Sequence, residues 1–325
     1  MRLNSPFSRI ARIRRALHRG EAAFRRGDLA AAETNGHAAI ARLGYRIDHP
    51  TSAPIADPAL LASSLELLAG ARRELGDLTQ SAVLREQALA ALAPIPQSPY
   101  ADRLRLTVLN GLGECRRLLG RYAEAENHHK RAVSIAADLQ PADLMWLAES
   151  LNGLGIVFKD TQRFVDADRH YRRALALAEQ ALGPDNPRLA NLFHNLAGLD
   201  HAQNRFTEGE PHARRALSLR TAGEGSASTG AAGDLAVLGA LLLGQRRYAE
   251  AEQALQDSLA IWQNRYGERH YEVAVVQHNL AALYAAQGHH DQAKRAYDHE
   301  IKLQVLGPEH PDVVALQNHI DRLTS

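Results

Sequence analysis

Gly120-Arg121-Tyr122-Ala123-Glu124-Ala125-Glu126 is a stretch that recurs down the chain. Copies stand at Gln162-Arg163-Phe164-Val165-Asp166-Ala167-Asp168, at Asn204-Arg205-Phe206-Thr207-Glu208-Gly209-Glu210, at Arg246-Arg247-Tyr248-Ala249-Glu250-Ala251-Glu252 and at Gly288-His289-His290-Asp291-Gln292-Ala293-Lys294. The third residue of each copy is a marker (Tyr122, Phe164, Phe206, Tyr248, His290) that returns every 42 residues. Two weaker copies upstream put markers at Leu29 and Leu78, with looser spacing. A fixed period of this length is the sign of a repeat architecture, in which each unit is one supersecondary element stacked on the next.

The residues around the marker say what that element is. Three positions after it stand Ala125, Ala167, Gly209, Ala251 and Ala293, and ten after it Ala132, Ala174, Ala216 and Ser258. Short side chains at helical spacing let two helix backbones approach closely. Ten positions before the marker stand Leu112, Leu154, Leu196, Leu238 and Leu280, each followed by a small residue: Gly113, Gly155, Ala197, Gly239 and Ala281. Each unit therefore reads as a first helix that ends just before the marker and a second that starts on it. Glycine then proline in Leu182-Gly183-Pro184-Asp185-Asn186-Pro187 and Leu306-Gly307-Pro308-Glu309-His310-Pro311 stops one unit and starts the next. The corresponding stretch Thr221 to Gly230 has no proline and is rich in glycine and serine, so it is expected to be the loosest link of the regular half.

Upstream, helical spacing runs over 8–27, an alanine-rich helix follows to about Leu43, and a second pair covers 57–76 and 78–92. Pro50, Pro54 and Pro58, and then Pro94, Pro96 and Pro99, mark extended connectors. The expected fold is all-α: a right-handed superhelical solenoid of about seven antiparallel helix pairs. Residues 1–99 form two divergent repeats with Pro-rich connectors, and 100–325 form five regular 42-residue repeats closed by a single capping helix at Val313 to Leu323.

Composition narrows the function. The 325 residues are 45% apolar and 23% charged with a net charge of +1, so no bulk field points to nucleic acid or to a strongly acidic partner. One cysteine, Cys115, excludes an intramolecular disulfide and suits a reducing, cytoplasmic setting; three residues from the Leu112 knob, it reads as a buried structural thiol. No apolar run reaches the length of a membrane span. The basic N-terminal segment (Arg2, Arg9, Arg12, Arg14, Arg15, Arg19, Arg25 and Arg26 against Glu21) lacks the apolar core of an export signal and reads as the solvated face of a first helix.

The leucine–small pair, the turn before the aromatic marker and the paired alanines, as in Leu154-Gly155, Arg163-Phe164 and Ala167, resemble the tetratricopeptide repeat family. The usual repeat has 34 residues. The 42-residue unit and its Leu-Gly-Pro-Asp-x-Pro links are similar to the longer variant of kinesin light chains. The resemblance covers 100–325 strongly and 8–92 weakly. It implies a non-catalytic scaffold or adaptor whose first helices line a concave groove that takes a protein or peptide. The alternatives it leaves open are a peptide-sensing regulator, or a regulatory module working with a signalling ATPase or a transcription regulator.

Sixteen histidines invite a metal or catalytic reading, but no His-Glu-x-x-His run and no cysteine cluster is present. The adjacent residues of His128-His129 and His289-His290 point in different directions on a helix, and His194 and His201 stand two turns apart. No metal, cofactor or catalytic residue is expected. The family's groove positions carry polar residues instead: Asn110, Asn152, His194 and His278 at one register, Asn195 and Asn279 at the next, and Arg117, Lys159 and His201 further along the same helices. An asparagine amide both donates and accepts, as the main chain of an extended peptide requires. Arg117 and Lys159 suit an acidic side chain or a terminal carboxylate. The sixth unit, with Ala236, Val237, Ala240 and Leu243, is apolar in that register.

Overall fold

The repeat period sets the position of every helix boundary. The computed structural model describes residues 6–48, 57–139, 143–268 and 270–297. The connector prolines 50 and 54, the 306–311 link and the expected capping helix lie outside them. The described residues fold into fourteen α-helices and no strand. The chain divides into two compact units, Met1–Leu177 and Ala178–Ser325. The first holds α1 (Pro6–Arg25), α2 (Leu29–Leu43), α3 (Pro58–Glu74), α4 (Leu78–Leu92), α5 (Pro99–Leu118), α6 (Tyr122–Asp138), α7 (Leu144–Asp160) and most of α8 (Phe164–Leu182). The second, after a 3-10 turn at Pro187–Leu189, holds α9 (Ala190–Ala202), α10 (Phe206–Glu224), α11 (Thr229–Gly244), α12 (Tyr248–Tyr266), α13 (Tyr271–Ala286) and α14 (His290–Tyr297). Every even helix begins on its marker residue.

The turn inside each pair has one geometry. The residue two before the marker takes a left-handed conformation: Gly27, Gly76, Gly120 and Gly288, but also Gln162, Asn204 and Arg246 with φ near 60°. Around Gly120 the Arg121 N–H reaches Arg116 O at 2.7 Å and the Gly120 N–H reaches Arg117 O at 2.9 Å, which satisfies the last carbonyls of α5. Helix starts are fixed by side-chain caps, with Asp57, Asp77, Ser98 and Ser228 each accepting from the N–H three residues on. Pro58, Pro99 and Pro187 occupy first-turn positions, where a missing N–H costs nothing.

The core positions follow the same register. Ala125, Ala132, Ala167, Ala174, Ala216 and Ala251 are fully buried, as are Leu112 and Ser258. Within each unit consecutive odd helices pack on one another, α1 on α3, α3 on α5 and α5 on α7, then α9 on α11 and α11 on α13. Among the described residues α2 and α4, α4 and α6, α10 and α12, and α12 and α14 make no such contacts. Each unit is therefore narrower on its odd-helix side, and that side is a continuous face of odd helices.

One link differs from its expectation. The Thr221–Gly230 stretch is not a loose loop, because α10 runs on to Glu224 and α11 starts at Thr229. Only Gly225 to Ser228 connect them. Gly225 turns the chain at φ 91° and Ser228 caps α11 through the Ala231 N–H at 3.2 Å. Gly223 is a packing residue, since a Cβ there would lie 2.5 Å from Pro187 Cβ.

Candidate functional site: the odd-helix face

The polar residues singled out in the sequence stand on the odd helices and fall into two groups. Asn110, Arg117, Asn152 and Lys159 belong to α5 and α7 in the first unit. His194, Asn195 and His201 on α9, and His278 and Asn279 on α13, belong to the second.

A side chain of an odd helix meets the next odd helix about one period later in the sequence, and several of these residues bond across that distance. Asn110 Nδ2 donates to Ser150 Oγ at 3.1 Å, and His194 Nδ1 lies 2.8 Å from Asp234 Oδ1; both partners are 40 residues on. Asp234 is buried and also receives Arg220 Nε at 3.1 Å, and Arg220 in turn donates to Asn191 Oδ1 at 2.9 Å. Asn110 and His194 thus spend part of their bonding on the neighbouring repeat, which their spacing alone did not reveal. His201 is exposed, with its ring 5.7 Å from that of Phe206. Asn152, Asn195, His278 and Asn279 are half-buried.

Arg117 differs from the expectation of a cation waiting for a ligand. Its guanidinium donates to Glu114 at 2.8 and 2.9 Å and to Asp160 at 2.9 Å. Burial works against the cation, but these carboxylates outweigh it and hold its pKa above the ordinary arginine value. Lys159 is the opposite case. Burial pushes its pKa down, Asp160 opposes this and Arg117 reinforces it, and the ammonium makes no side-chain hydrogen bond among the described residues. Arg117 is neutralised, whereas Lys159 is a desolvated cation with donors to spare.

Beneath this surface lies a set of side chains that the sequence reading missed. Seven residues after the marker, the even helices send a side chain inward: Arg85, His129, Tyr171 and Leu255. Each fills space left by a glycine. A Cβ on Gly111 would lie 2.7 Å from Arg85 Cζ, on Gly113 2.6 Å from His129 Nε2, on Gly153 2.5 Å from His129 Nδ1, on Gly155 2.5 Å from the Tyr171 ring, and on Gly239 2.6 Å from Leu255 Cγ. The hole is thus nine positions before the marker in the same pair, or eleven before it in the next. Polar ends come inward with these side chains. Arg85 binds Glu66 through Nε and Nη2, and its Nη1 reaches Ser81 Oγ at 2.6 Å and Cys115 Sγ at 3.2 Å. Cys115 is fully buried, as expected. His129 Nδ1 lies 3.3 Å from Asn110 Oδ1, while its Nε2 and the Tyr171 hydroxyl are buried with no hydrogen-bond partner among the described residues. Burial pushes the Tyr171 hydroxyl above the ordinary tyrosine range, and Asp160 adds to the shift.

The geometry defines a class: an all-α chain of paired helices with a 42-residue period and a polar face on the first helix of each pair. A tetratricopeptide repeat model matches residues 60–138, 104–167, 146–222 and 233–304, and the chain belongs to the tetratricopeptide repeat family. No protein of curated function matches it. Among solved structures the fold is similar to the apo form of RapI, with TM-score 0.67 and 13% identity over 95% of this chain and 99% of that one. It is also similar to a tetratricopeptide repeat protein from Parabacteroides merdae, with TM-score 0.59 and 14% identity over 97% and 100%. A putative kinesin light chain with nearly identical repeats from Podosopora anserina matches with TM-score 0.52 and 18% identity over 70% and 100%. At these identities the likeness is one of fold. No described helix is long and apolar enough to cross a membrane, and no group of three or more potential metal ligands occurs among the described residues.

Proposed function

We propose that this protein is a non-catalytic scaffold of the cytoplasm that binds a protein or peptide partner along the α5–α7 face of its first unit, with Lys159 holding an acidic group of that partner. The observation that carries this reading is Lys159 itself: a half-buried cation, disfavoured by its surroundings and without a hydrogen bond to compensate. Such a group is stabilised by an arriving carboxylate, which regains the bonding that burial removed. Asn152, two turns earlier on α7, carries an amide that suits the main chain of an extended segment, whereas the Asn110 amide on α5 is already bonded to Ser150 and His129. The fold likeness to a Rap protein solved in complex with Competence and Sporulation Factor supports a binding role for this kind of helix array. The second group, His194, Asn195, His201, His278 and Asn279, is proposed as a separate contact surface of the second unit.

The test is an array of synthetic peptides, acidic and neutral, probed with wild type and Lys159→Ala at two salt concentrations. Acidic peptides should be retained by wild type and bind about ten-fold or more weakly to the variant, because a bond to a charged group is worth about 1.5–3 kcal/mol. The difference should shrink at high salt. Equal binding by both proteins, with helicity unchanged, would move the site off this face and make the basic surface of α1 the next candidate.

A further inference from the structure

A second feature of the odd-helix face lies at the N-terminal end of the first unit, away from Lys159. Helices α1, α3 and α5, with Arg85 of α4, line an open cavity of about 470 Å³, within the ~300–1,000 Å³ range of small-molecule sites. Phe24, Leu67 and Leu104 supply its apolar wall. Gly70 and Gly111 also line it: a Cβ on Gly70 would rest against the Phe24 ring at 3.4 Å, whereas one on Gly111 would run into Arg85.

Its charges decide what it can hold. Five ionisable residues line it: Glu21, Arg25, Glu66, Arg73 and Arg85. Three are already matched. Glu66 and Arg85 form a buried pair at 2.8 Å, and Arg73 bonds Glu74 at 2.5 Å. The other two, Glu21 and Arg25, make no ion pair or side-chain hydrogen bond among the described residues. They stand four residues apart on α1, about 6 Å along the helix axis. One charge of each sign outside any ion pair therefore lies on the same wall, Glu21 half-buried and Arg25 exposed, beside the apolar side chains of Phe24, Leu67 and Leu104. A simple acid would satisfy Arg25 and leave Glu21 facing it, and a simple amine would do the reverse.

We infer that this cavity is a binding site for a small zwitterion with an apolar body, of the class of free amino acids and short peptides. Glu21 accepts from the ligand's ammonium group, Arg25 donates to its carboxylate, and the side chain rests against Phe24, Leu67 and Leu104. The site shares no residue with the Lys159 surface, so each stands or falls alone.

Isothermal titration of the full chain tests it, with leucine, Leu-Leu and Leu-Leu-Leu as probes and the N-acetyl and C-terminal amide forms of each. The three lengths separate a free amino acid from a short peptide. At least one free zwitterion should bind, and blocking either end should weaken it about ten-fold or more. Glu21→Gln should abolish the penalty for acetylation alone, and Arg25→Gln the penalty for amidation alone. Both positions face solvent or the cavity, so both variants retain the fold, and Lys159→Ala should bind as wild type does. Failure of all three zwitterions to bind, or blocked forms binding as well as free ones, would overturn the assignment. So would Glu21→Gln and Arg25→Gln leaving the end preferences unchanged.

Discussion

His129 occupies the space that a side chain on Gly153 would need: a Cβ at that position would lie 2.5 Å from the imidazole Nδ1. The two residues stand on α6 and α7, in successive repeats, and His129 is almost fully buried between them and Gly113. Gly153→Ala should therefore overpack the joint and cost about 1–3 kcal/mol, measured by urea unfolding. His129→Ala opens the same space, so adding Gly153→Ala to it should cost much less than adding it to wild type. A strictly additive double mutant would mean that the two side chains do not share the site.

The same imidazole makes the fold acid-sensitive. Burial pushes its pKa down to about 4 from 6.5; His128 and Arg117 add to the shift and Glu114 opposes it. The unfolded chain takes up the proton below pH 6.5 and the folded chain only near pH 4, so between these values the unfolded state binds more protons. Stability should fall as the pH drops through this window, by about 3 kcal/mol in all, and this contribution should level off below it. Unfolding midpoints at pH 7, 5.5 and 4, compared with those of His129→Leu, isolate the contribution. Parallel pH profiles for the two proteins would rule it out.

Gln162 holds φ at 59° in the turn between α7 and α8, where Gly120 stands one repeat earlier. A left-handed conformation costs an L-residue about 1–2 kcal/mol, and glycine's greater chain entropy offsets about 0.5–1 of that. Gln162→Gly should thus raise stability by about 0.5 kcal/mol, and Gly120→Ala should lower it. A drop in melting temperature for Gln162→Gly would mean that the glutamine side chain contributes more than its backbone strain costs.

Lys159 has a stability counterpart to its proposed role. If its burial is uncompensated in the free protein, Lys159→Met should raise the unfolding free energy by about 1 kcal/mol while abolishing the acidic-peptide preference. Lower stability with normal folding would show that the ammonium is already satisfied within the chain.

Much of this fold was legible in the sequence. The marker residues gave the start of every even helix, and the alanines three and ten positions on lay at the helix contacts, because a strict period leaves each unit the same packing problem. The inward side chains were not legible. Arg85, His129 and Tyr171 carry polar ends, and a polar residue in an amphipathic helix reads as a solvated one. The visible signal is the glycines: Gly113 and Gly155 follow the leucine knob and read as small contact residues, Gly111 and Gly153 share the groove register of Asn195 and Asn279, and all four are holes for named partners. Arg117 has one partner within reach of the sequence, Glu114 three residues before it; the other, Asp160, lies 43 residues away, and only the stacking of α5 on α7 brings it there.

The matching of inward side chains to glycine holes also limits how the chain can be rearranged. Some holes are filled by their own unit's side chain, but Gly111 and Gly153 answer to Arg85 and His129 of the preceding unit, so these neighbours are fitted to each other and not to a common template. If the unit carrying His129 were spliced before the one carrying Asn195 at the position eleven before its marker, the imidazole would meet a side chain where it now meets the bare backbone of Gly153. Despite a period constant enough to suggest interchangeable modules, this array has a reading order, and shuffled or duplicated versions would need compensating changes on both sides of every new junction.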